Sequence, residues 1–439
     1  MWLSRISSFK YGRVIMITAL LPIFFAVLLL GLPIFASLAL AVFLAIEFFG
    51  TTNPVIVPMR MFTGMNNFSL MAIPFFILAA ELMRIGGLSD RLINLAKALV
   101  GWVPGGLAAA TVLSCLFFGA ISGSSPATVV AIGSIMFPAL VAAGYDKRFA
   151  IGLIATAGTL GPIVPPSIAL IIYGSVTGTS VGRLFAAGLL PAIVIASILI
   201  AYCIVYSSFK GYERSPFPTL KEIALAFKSA AWGLGLPIIL LGGIYSGIFT
   251  PTESAAVACV YGLLVGMVVY RTINLRELAG TLRSSGLISA TLLLITAGAS
   301  AFSWLLAITG TPSQLAGQVL SWTDDPFQVM ALFNVVMIIA GFFLDSASAI
   351  IVLSPLLQPI AAQVGVDPVH FGIITLINFS VGMITPPVGL NLFVAMAISK
   401  MSLQEVFRAC LPLIGLMLIA LIIITYVPWL STWLPSLIY

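Results

Sequence analysis

Two short segments rich in serine and glycine interrupt long apolar stretches, and their oxygen atoms are suited to bind a cation. The first segment is Ser122-Gly123-Ser124-Ser125, and the second contains Asp345, Ser346 and Ser348. Residues at such a break leave hydroxyls and backbone carbonyls without helical partners, and oxygen ligands in a low-dielectric pocket suit a hard, singly charged cation such as sodium. A carboxylate in lipid is costly and indicates function by default, so Asp345 is predicted to pair with a cation or a proton.

Two proline pairs, Pro165-Pro166 and Pro386-Pro387, interrupt the apolar stretches that follow these segments. Proline lacks an amide donor and frees the carbonyls of the preceding turn, so each pair adds oxygen ligands beside a serine-rich segment. The half-helices that begin after the breaks direct their N-terminal amides inward. Such amides form a cradle for a substrate carboxylate that needs no buried Arg or Lys.

The two sets of breaks belong to two related halves of the chain. Gly144-Tyr145-Asp146 recurs as Gly365-Val366-Asp367, and the first proline pair recurs as the second, in both cases 221 residues later. Upstream, Gly119 and Gly341 head the two serine-containing segments at an offset of 222. Paired Gly/Pro breaks in related halves of a membrane protein are the best sequence pointer to a transport site. The repeat therefore predicts a transporter.

The composition predicts an all-α polytopic membrane protein. Hydrophobic residues make up 61% of the 439 residues and charged residues only 7%, too little polar surface for a water-soluble protein. Apolar stretches of about 20 residues, the length of a membrane-spanning helix, recur from Val14 onwards. They are predicted to be helices because the alternating pattern of a transmembrane barrel is missing. The first run, Val14 to Leu30, is predicted to be a permanent span rather than a cleaved signal.

The basic residues predict the orientation of the loops. Clusters within residues 210–228 and 271–283 are predicted to be cytoplasmic, which places the turn at 249–253 outside. The block from Gly101 to Val141 has basic flanks on both sides, whereas the block from Phe327 to Gln363 follows an acidic external segment. We therefore predict two re-entrant helical hairpins that enter from opposite faces beside two discontinuous helices, in an inverted-topology repeat.

The repeat also predicts the domain boundaries: a first half over residues 1–207, a cytoplasmic linker over 208–228 and a second half over 229–439. In each half, scaffold spans and an arm come first, at about 1–73 and 229–285. A hairpin and a broken helix follow, at about 74–207 and 286–439. The arms are the amphipathic stretches Thr51 to Phe68 and Arg271 to Ser285, predicted to lie along the membrane surface. The inverted repeat places the N-terminus outside, whereas three basic residues there, Arg5, Lys10 and Arg13, favour the cytoplasm.

Structural interpretations of the same residues stay open. Small serines permit close helix packing, prolines kink membrane helices, and Asp345 can serve as a capped structural carboxylate. His370, the sole histidine, is expected to be a surface residue of an external loop rather than a proton relay. Glu253 is expected to cap the following span. The four cysteines lack metal or redox spacing and are expected to pack in the core.

Four motifs together resemble the large, DctM-like membrane subunit of a tripartite ATP-independent periplasmic (TRAP) transporter, within the ion-transporter superfamily. They are the segment from Gly119 to Thr128, Pro74 to Ala79, Gly247 to Glu253 and Gly161 to Ser167. The resemblance covers nearly the whole chain, and the combination is specific although each motif alone is weak. It implies sodium-driven import of an organic acid, of the C4-dicarboxylate or sialic acid type, across the bacterial inner membrane by an elevator mechanism.

The resemblance also implies partners and site residues. The partners are a small four-helix membrane subunit, expected as a separate chain, and a soluble periplasmic protein that delivers the acid. Sodium is the coupling ion and no other cofactor is implied. The implied sodium ligands are Ser122, Gly123, Ser124, Ser125, Gly158, Thr159, Gly161 and Pro165 in the first repeat, and Asp345, Ser346, Ser348, Gly382, Thr385, Pro386 and Gly389 in the second. The residues implied to bind substrate are Ser124, Ser125, Thr128, Ser167 and Asn391.

Other function classes fit the sequence less well. The nearest rival is a self-sufficient sodium/carboxylate symporter that needs no binding protein. An enzyme would need a nucleophile-base pair or a metal cluster, and a single histidine with scattered cysteines provides neither. A channel gives no reason for two opposed hairpins, and an ATP-driven pump would need a separate ATPase chain. The dispersed basic residues are explained by membrane orientation rather than by a nucleic-acid partner.

Overall fold

The computed structural model describes residues 19–20, 22–49, 52–212, 214 and 216–439. The N-terminal basic residues Arg5, Lys10 and Arg13 and the start of the predicted first span at Val14 lie outside the described residues. Residues 19–20 and 22–29 are helical and belong to that span. All regular secondary structure in the described part of the chain is helical, without a β-strand.

Most helices of the first half end no more than two residues before a glycine or proline, which makes helical continuation unfavourable; the helix that ends at Met65 is the exception. They are α1 (Ile34–Phe49), α2 (Ile56–Met65), α3 (Ala72–Ile85), α4 (Leu88–Val100), α5 (Gly106–Ser122), α6 (Ser125–Ala142), α7 (Lys147–Ala157), α8 (Leu160–Ile163), α9 (Ile168–Thr177) and α10 (Val181–Lys210). A 3-10 turn, Phe68–Met71, leads from α2 towards α3. Left-handed glycines follow α5, α9 and α10, at Gly123, Gly178 and Gly211.

The second half repeats this order. Its helices are α11 (Leu220–Tyr245), α12 (Pro251–Leu264), α13 (Leu275–Thr309), α14 (Thr311–Trp322), α15 (Pro326–Gly341), α16 (Ser346–Gln363), α17 (Pro368–Gly382), α18 (Leu390–Ser399), α19 (Leu403–Tyr426) and α20 (Trp429–Ile438). A π-helical segment, Val265–Val269, extends α12. Capping boxes fix the starts of α11, α12, α13 and α19, each with a Ser, Thr or Asn at the N-cap and a Glu three residues on.

Eight helices in the described ranges are long and apolar enough to cross a membrane, or nine if α7 to α9 form one span with a 44° bend. Their residues pack into one large hydrophobic core around fully buried side chains such as Tyr173, Phe302 and Phe371. This arrangement confirms the prediction of an all-helical polytopic membrane protein.

The two halves exchange helices where they meet. Helices α5 and α6 pack on each other as a hairpin, and so do α15 and α16. The second part of each broken helix packs into the other half: α9 lies on α16, and α18 lies on α6 and α7. In the surrounding layer α3 packs on α12, and α1 packs on α13. Each half therefore completes the packing of the other.

Several boundaries differ from the sequence prediction. The second arm is not a separate element, because Arg276 to Ser285 and the predicted span after it form the single 35-residue helix α13. The linker at 208–228 overlaps the ends of two helices, which leaves only residues 211–219 between them. Glu253 is not the N-cap of α12: Thr250 is, and Glu253 closes the capping box. The four cysteines are free, with three buried and Cys259 half-buried.

Candidate functional site: two helix breaks joined across the repeat

The tip of the first hairpin is held by its own hydroxyl groups. Gly123 adopts φ 58° after α5, and Ser124 is extended before Ser125 opens α6. Thr128 Oγ1 donates to the Ser124 carbonyl at 2.8 Å and lies 3.0 Å from Ser122 Oγ. Since Thr128 has one hydroxyl proton, Ser122 is the donor in that second contact. The tip thus concentrates hydroxyl and carbonyl oxygens on one turn.

Glycines bring this tip against the first break. A Cβ atom on Gly161 would lie 2.6 Å from the Ser124 carbonyl oxygen and 2.7 Å from Thr128 Oγ1. A Cβ atom on Gly123 would lie 2.5 Å from the Pro166 carbonyl oxygen. These distances are shorter than real Cβ contacts, so only glycine allows the two backbones to come this close. The structure therefore brings the predicted residues of tip and break together.

The first break is fully buried and irregular over several residues. Thr159 Oγ1 donates to the Thr156 carbonyl at 2.6 Å, which anchors the turn after α7. The Pro165-Pro166 peptide bond is cis. Ser167, with 0% exposure, caps α9 by accepting from the Leu170 amide at 3.2 Å. Ser167 therefore has a local structural bond at the position predicted for substrate binding.

The second tip and break mirror this contact. A Cβ atom on Gly382 would lie 2.4 Å from the Gly341 carbonyl oxygen. The Val388 amide donates to the Phe342 carbonyl at 3.1 Å, which ties the turn between α17 and α18 to the hairpin. These glycines correspond to Gly161 and Gly119, and a Cβ atom on Gly119 would lie 3.0 Å from the Gly161 Cα. The repeat thus reproduces the glycine-glycine approach in both halves.

Asp345 caps α16. Its Oδ2 accepts from the amides of Ala347 at 3.0 Å and Ser348 at 3.3 Å, and its Oδ1 accepts from the Ser348 hydroxyl. This geometry satisfies the structural interpretation of the carboxylate. Ser346 is buried, and its hydroxyl has no hydrogen-bond partner among the described residues. A role of either side chain as a sodium ligand stays a prediction.

The rest of the second break is set by its own backbone. Thr385 Oγ1 donates to the Val381 carbonyl at 2.9 Å. The Pro386-Pro387 peptide bond is cis, and Gly389 adopts φ 48°. The backbone amide of Asn391 then donates to the Met383 carbonyl at 3.0 Å, which closes the loop onto the end of α17.

Asn391 joins the two halves, and we call its contact with Ser125 and Ala155 the central junction. Asn391 Nδ2 lies 2.7 Å from Ser125 Oγ and donates to the Ala155 carbonyl at 2.9 Å. Ser125 Oγ also lies 3.1 Å from Asn391 Oδ1. Ser125 is 1% exposed and Asn391 is 0% exposed. Two residues that were predicted to bind substrate are therefore in direct contact, although they come from different halves.

A buried polar chain lies beside the second break and was not predicted. His370 is 3% exposed, so its predicted surface position is wrong. Its ring contacts Ser431 Oγ through Nδ1 and the Thr425 carbonyl through Nε2 at 3.2 Å. The chain continues from Thr425 Oγ1 to Asn334 at 3.1 Å and from Asn334 to Asn378 at 2.8 Å. Two asparagines within apolar spans are the sequence signal that would have indicated such a network.

The site offers neutral oxygen ligands, with Asp345 as its single acid. The described residues contain no group of three or more His, Cys, Asp or Glu side chains that could hold a metal ion. Carbonyls and hydroxyls at the two tips are ligands that a hard cation accepts. A buried amide and hydroxyl at the central junction can exchange their mutual hydrogen bonds for bonds to a polar ligand.

Comparison with known proteins assigns the family. The family model for the DctM component of the tripartite ATP-independent periplasmic transporter matches residues 21–430. The chain belongs to the DctM family. This confirms the resemblance to a TRAP large subunit and, with the apolar helices, makes this DctM-family chain a multi-pass membrane protein of a transporter family.

Relatives of this DctM-family chain are named as TRAP permeases. It is 41% identical over 432 residues to the C4-dicarboxylate TRAP transporter large permease protein of Vibrio cholerae, covering 94% of this chain and 95% of that protein. It is 42% identical over 400 residues to the corresponding C4-dicarboxylate permease of Pseudomonas aeruginosa, covering 91% and 94%. The sialic acid TRAP transporter large permease protein of Vibrio cholerae is 35% identical, covering 93% and 95%.

A solved structure shares the fold. The crystal structure of the Alcanivorax borkumensis YdaH transporter, described as having an unusual topology, superposes with a TM-score of 0.61 at 18% identity. The match covers 87% of this chain and 89% of that one. At this identity the similarity concerns the fold alone.

Proposed function

We propose that this chain imports an organic acid in symport with sodium, with the central junction and the two hairpin tips as the transport site. The observation that carries the proposal is the contact between Ser125 and Asn391, because it joins the two oxygen-rich breaks into one buried site. Neutral oxygen ligands at both tips suit sodium, and the helix N-termini at Ser125 and Leu390 suit a carboxylate.

The proposed substrate is a C4-dicarboxylate, and a sialic acid is the second candidate. Relatives named for C4-dicarboxylates are 41% and 42% identical to this chain, whereas the relative named for sialic acid is 35% identical. The described residues at the central junction are uncharged, so hydroxyl, amide and helix N-terminal donors would bind the acid.

We propose that the two hairpins are re-entrant and move with the broken helices as an elevator domain. Helices α5 and α15 have 17 and 16 residues, which makes each about 25 Å long and shorter than the hydrocarbon core of about 30 Å. The exchange of α9 and α18 between the halves favours motion of the two breaks as one body. The outer layer, which contains α1, α3, α12 and α13, would be the scaffold.

The family implies two partners and a location. We propose a small four-helix membrane subunit bound to the scaffold, a soluble periplasmic protein that delivers the acid, and a position in the bacterial inner membrane. No other cofactor is needed for this proposal, because the sodium gradient supplies the driving force.

The test is uptake by liposomes that contain this chain and the small membrane subunit. An inward sodium gradient, a panel of dicarboxylates and sialic acid, and the soluble partner are varied separately. We expect uptake of a C4-dicarboxylate only with both sodium and the soluble protein. Sodium-driven uptake by this chain alone would favour a self-sufficient symporter, and uptake independent of sodium would overturn the proposed coupling.

A further inference from the structure

A polar crevice separates the second part of the first broken helix from the outer layer of the protein. It consists of two adjoining cavities of about 470 and 420 Å³ that share Asn67 and Ser175. One wall is the turn from α2 to α3 together with α13, and the other is the C-terminal end of α9. The crevice is distinct from the central junction, since none of the junction residues lines it.

The larger cavity is lined by hydrogen-bond donors that are not used within the protein. The side-chain donors of Asn66, Asn67, Ser300 and Ser303 have no acceptor in the described part of the chain, and Ser303 Oγ is fully buried. Asn67 uses only its Oδ1, which accepts from the Ser69 amide at 3.0 Å, so its amide group is left over. Asn66 is exposed and Asn67 and Ser300 are half-buried, so only Ser303 Oγ carries the cost of about 1–3 kcal/mol of a buried donor without an acceptor. Four unused donors in one cavity favour a ligand rich in acceptors.

No ionised side chain lines the larger cavity. Its unused donors therefore need acceptors that a ligand would supply. A carboxylate has two oxygens and about four lone-pair positions, so it matches four neutral donors. Without a lysine or arginine partner, binding there would be weak and reversible. Weak binding is the property of a site through which a solute passes, because a transit site must release what it captures.

Close helix contact forms this cavity. A Cβ atom on Gly64 would lie 2.1 Å from Ser300 Cβ, so α2 reaches α13 only because residue 64 is glycine. One turn along both helices from this contact, Arg60 lies over the Trp304 ring at 5.1 Å and joins the same pair of helices. The donors from the two elements are therefore held in one place.

The crevice lies on the side that the charge pattern assigns to the exterior. Its smaller cavity is lined by residues 178–182, which follow α9, and by Phe249 and Pro251. These two residues belong to the turn at 249–253, which the basic segments on either side place outside. Along α9, the eight steps of helical rise from Ser167 to Ser175 span about 12 Å. The crevice thus lies about two helical turns from the first break, between the outside and the central junction.

We propose that this crevice is an external relay site that binds the carboxylate of the transported acid before the acid reaches the central junction. The inference rests on the proposed function. It adds a second, sodium-independent binding site, and it assigns Asn66, Asn67, Ser300 and Ser303 as the donors.

The first test is protection from chemical labelling. In a Cys259→Ala background, Ser300→Cys is reacted with a membrane-impermeant maleimide in liposomes with and without a C4-dicarboxylate, in sodium-free buffer. We expect the acid to slow labelling at least threefold even without sodium. Ser321→Cys, exposed on α14 on the same predicted side, is the matched control and should label at the same rate in both conditions.

The second test is transport. Asn67→Asp keeps the oxygen that caps the 3-10 turn and replaces the amide donor with a carboxylate oxygen, so it should raise the KM for the acid at least tenfold. The sodium dependence and the maximal rate should be those of the unaltered protein. Loss of maximal rate with an unchanged KM would overturn the relay site.

The outcomes separate the two proposals. If the unaltered protein shows no sodium-driven uptake, that result contradicts the proposed function. Sodium-driven uptake with equal labelling rates and an unchanged KM in Asn67→Asp contradicts only the relay site. Protection that requires sodium also contradicts it, since the acid would then act from the central junction.

Discussion

Ser125 and Asn391 are 266 residues apart in the chain and yet lie in hydrogen-bond contact, with Asn391 Nδ2 2.7 Å from Ser125 Oγ. Each residue lies at the start of the helix that follows a break, Ser125 in α6 and Asn391 in α18. Asn391 Nδ2 also donates a hydrogen bond to the Ala155 carbonyl oxygen at 2.9 Å. The proposed transport site is therefore complete only when both halves of the repeat are folded together.

Replacing Asn391 should damage both stability and transport. Asn391→Ala leaves the Ala155 carbonyl buried without its donor, which we expect to cost about 1–3 kcal/mol. Uptake should fall at least a hundredfold. A thermal melt and liposome uptake measure the two effects. In a double-mutant cycle with Ser125→Ala, a coupling energy near zero would mean that the contact has no energetic weight.

The glycine-glycine approach at the breaks should not tolerate a methyl group. Gly161→Ala and Gly382→Ala each place a Cβ atom within 2.6 Å of a backbone oxygen, so the hairpin must separate from the break and uptake should be lost. Gly286→Ala is the matched control, because that glycine lies inside α13 and a Cβ atom added to it would meet nothing within 4 Å. The control should keep full uptake and gain about 1 kcal/mol of helix propensity.

A substitution at Asp345 distinguishes a capping role of its carboxylate from a sodium-binding role. Asp345→Ser keeps an oxygen acceptor for the start of α16 and removes the charge, so we expect a loss of about 1 kcal/mol in stability or less. If Asp345 is a sodium ligand, as we expect, sodium-dependent uptake disappears while the protein stays inserted. Uptake with an unchanged sodium dependence would assign the carboxylate to capping alone.

The inverted repeat predicts opposite faces for corresponding loops. Lys147→Cys lies at the start of α7, and Gln363→Cys ends α16 near the equivalent loop; Gln363 is chosen because Asp367 caps α17. A membrane-impermeant maleimide added from one side should label only one of the two. Labelling of both from the same side would contradict the inverted topology.

The sequence predicted the breaks well because they depend on local chemistry. Glycine weakens a helix and paired prolines end one, and the helices stop at Ser122, Ala157, Gly341 and Gly382, within or beside the predicted breaks. The residues Ser125 and Asn391 of the central junction were also named. Their contact was not predictable, since the Ala155 carbonyl has no side-chain signature and the packing of α18 on α6 depends on the whole fold.

The error at His370 has a similar cause. Its neighbours Asp367 and Pro368 indicate a helix start, and Asp367 indeed caps α17. The ring is buried because Thr425 and Ser431 come from helices 55 and 61 residues further along the chain. Contacts at such separations are set by tertiary packing, so local patterns do not report them.

The long helix α13 makes the outer layer mechanically uneven. In the first half, the arm α2 and the span α3 are separate helices with a 3-10 turn between them, whereas the second half has one rod of 35 residues, about 52 Å long. A rod of that length exceeds the hydrocarbon thickness, so it must tilt or extend into the headgroups. The first half can bend at the turn between α2 and α3, whereas α13 has no such turn. A change in bilayer thickness therefore affects the two halves of the outer layer unequally.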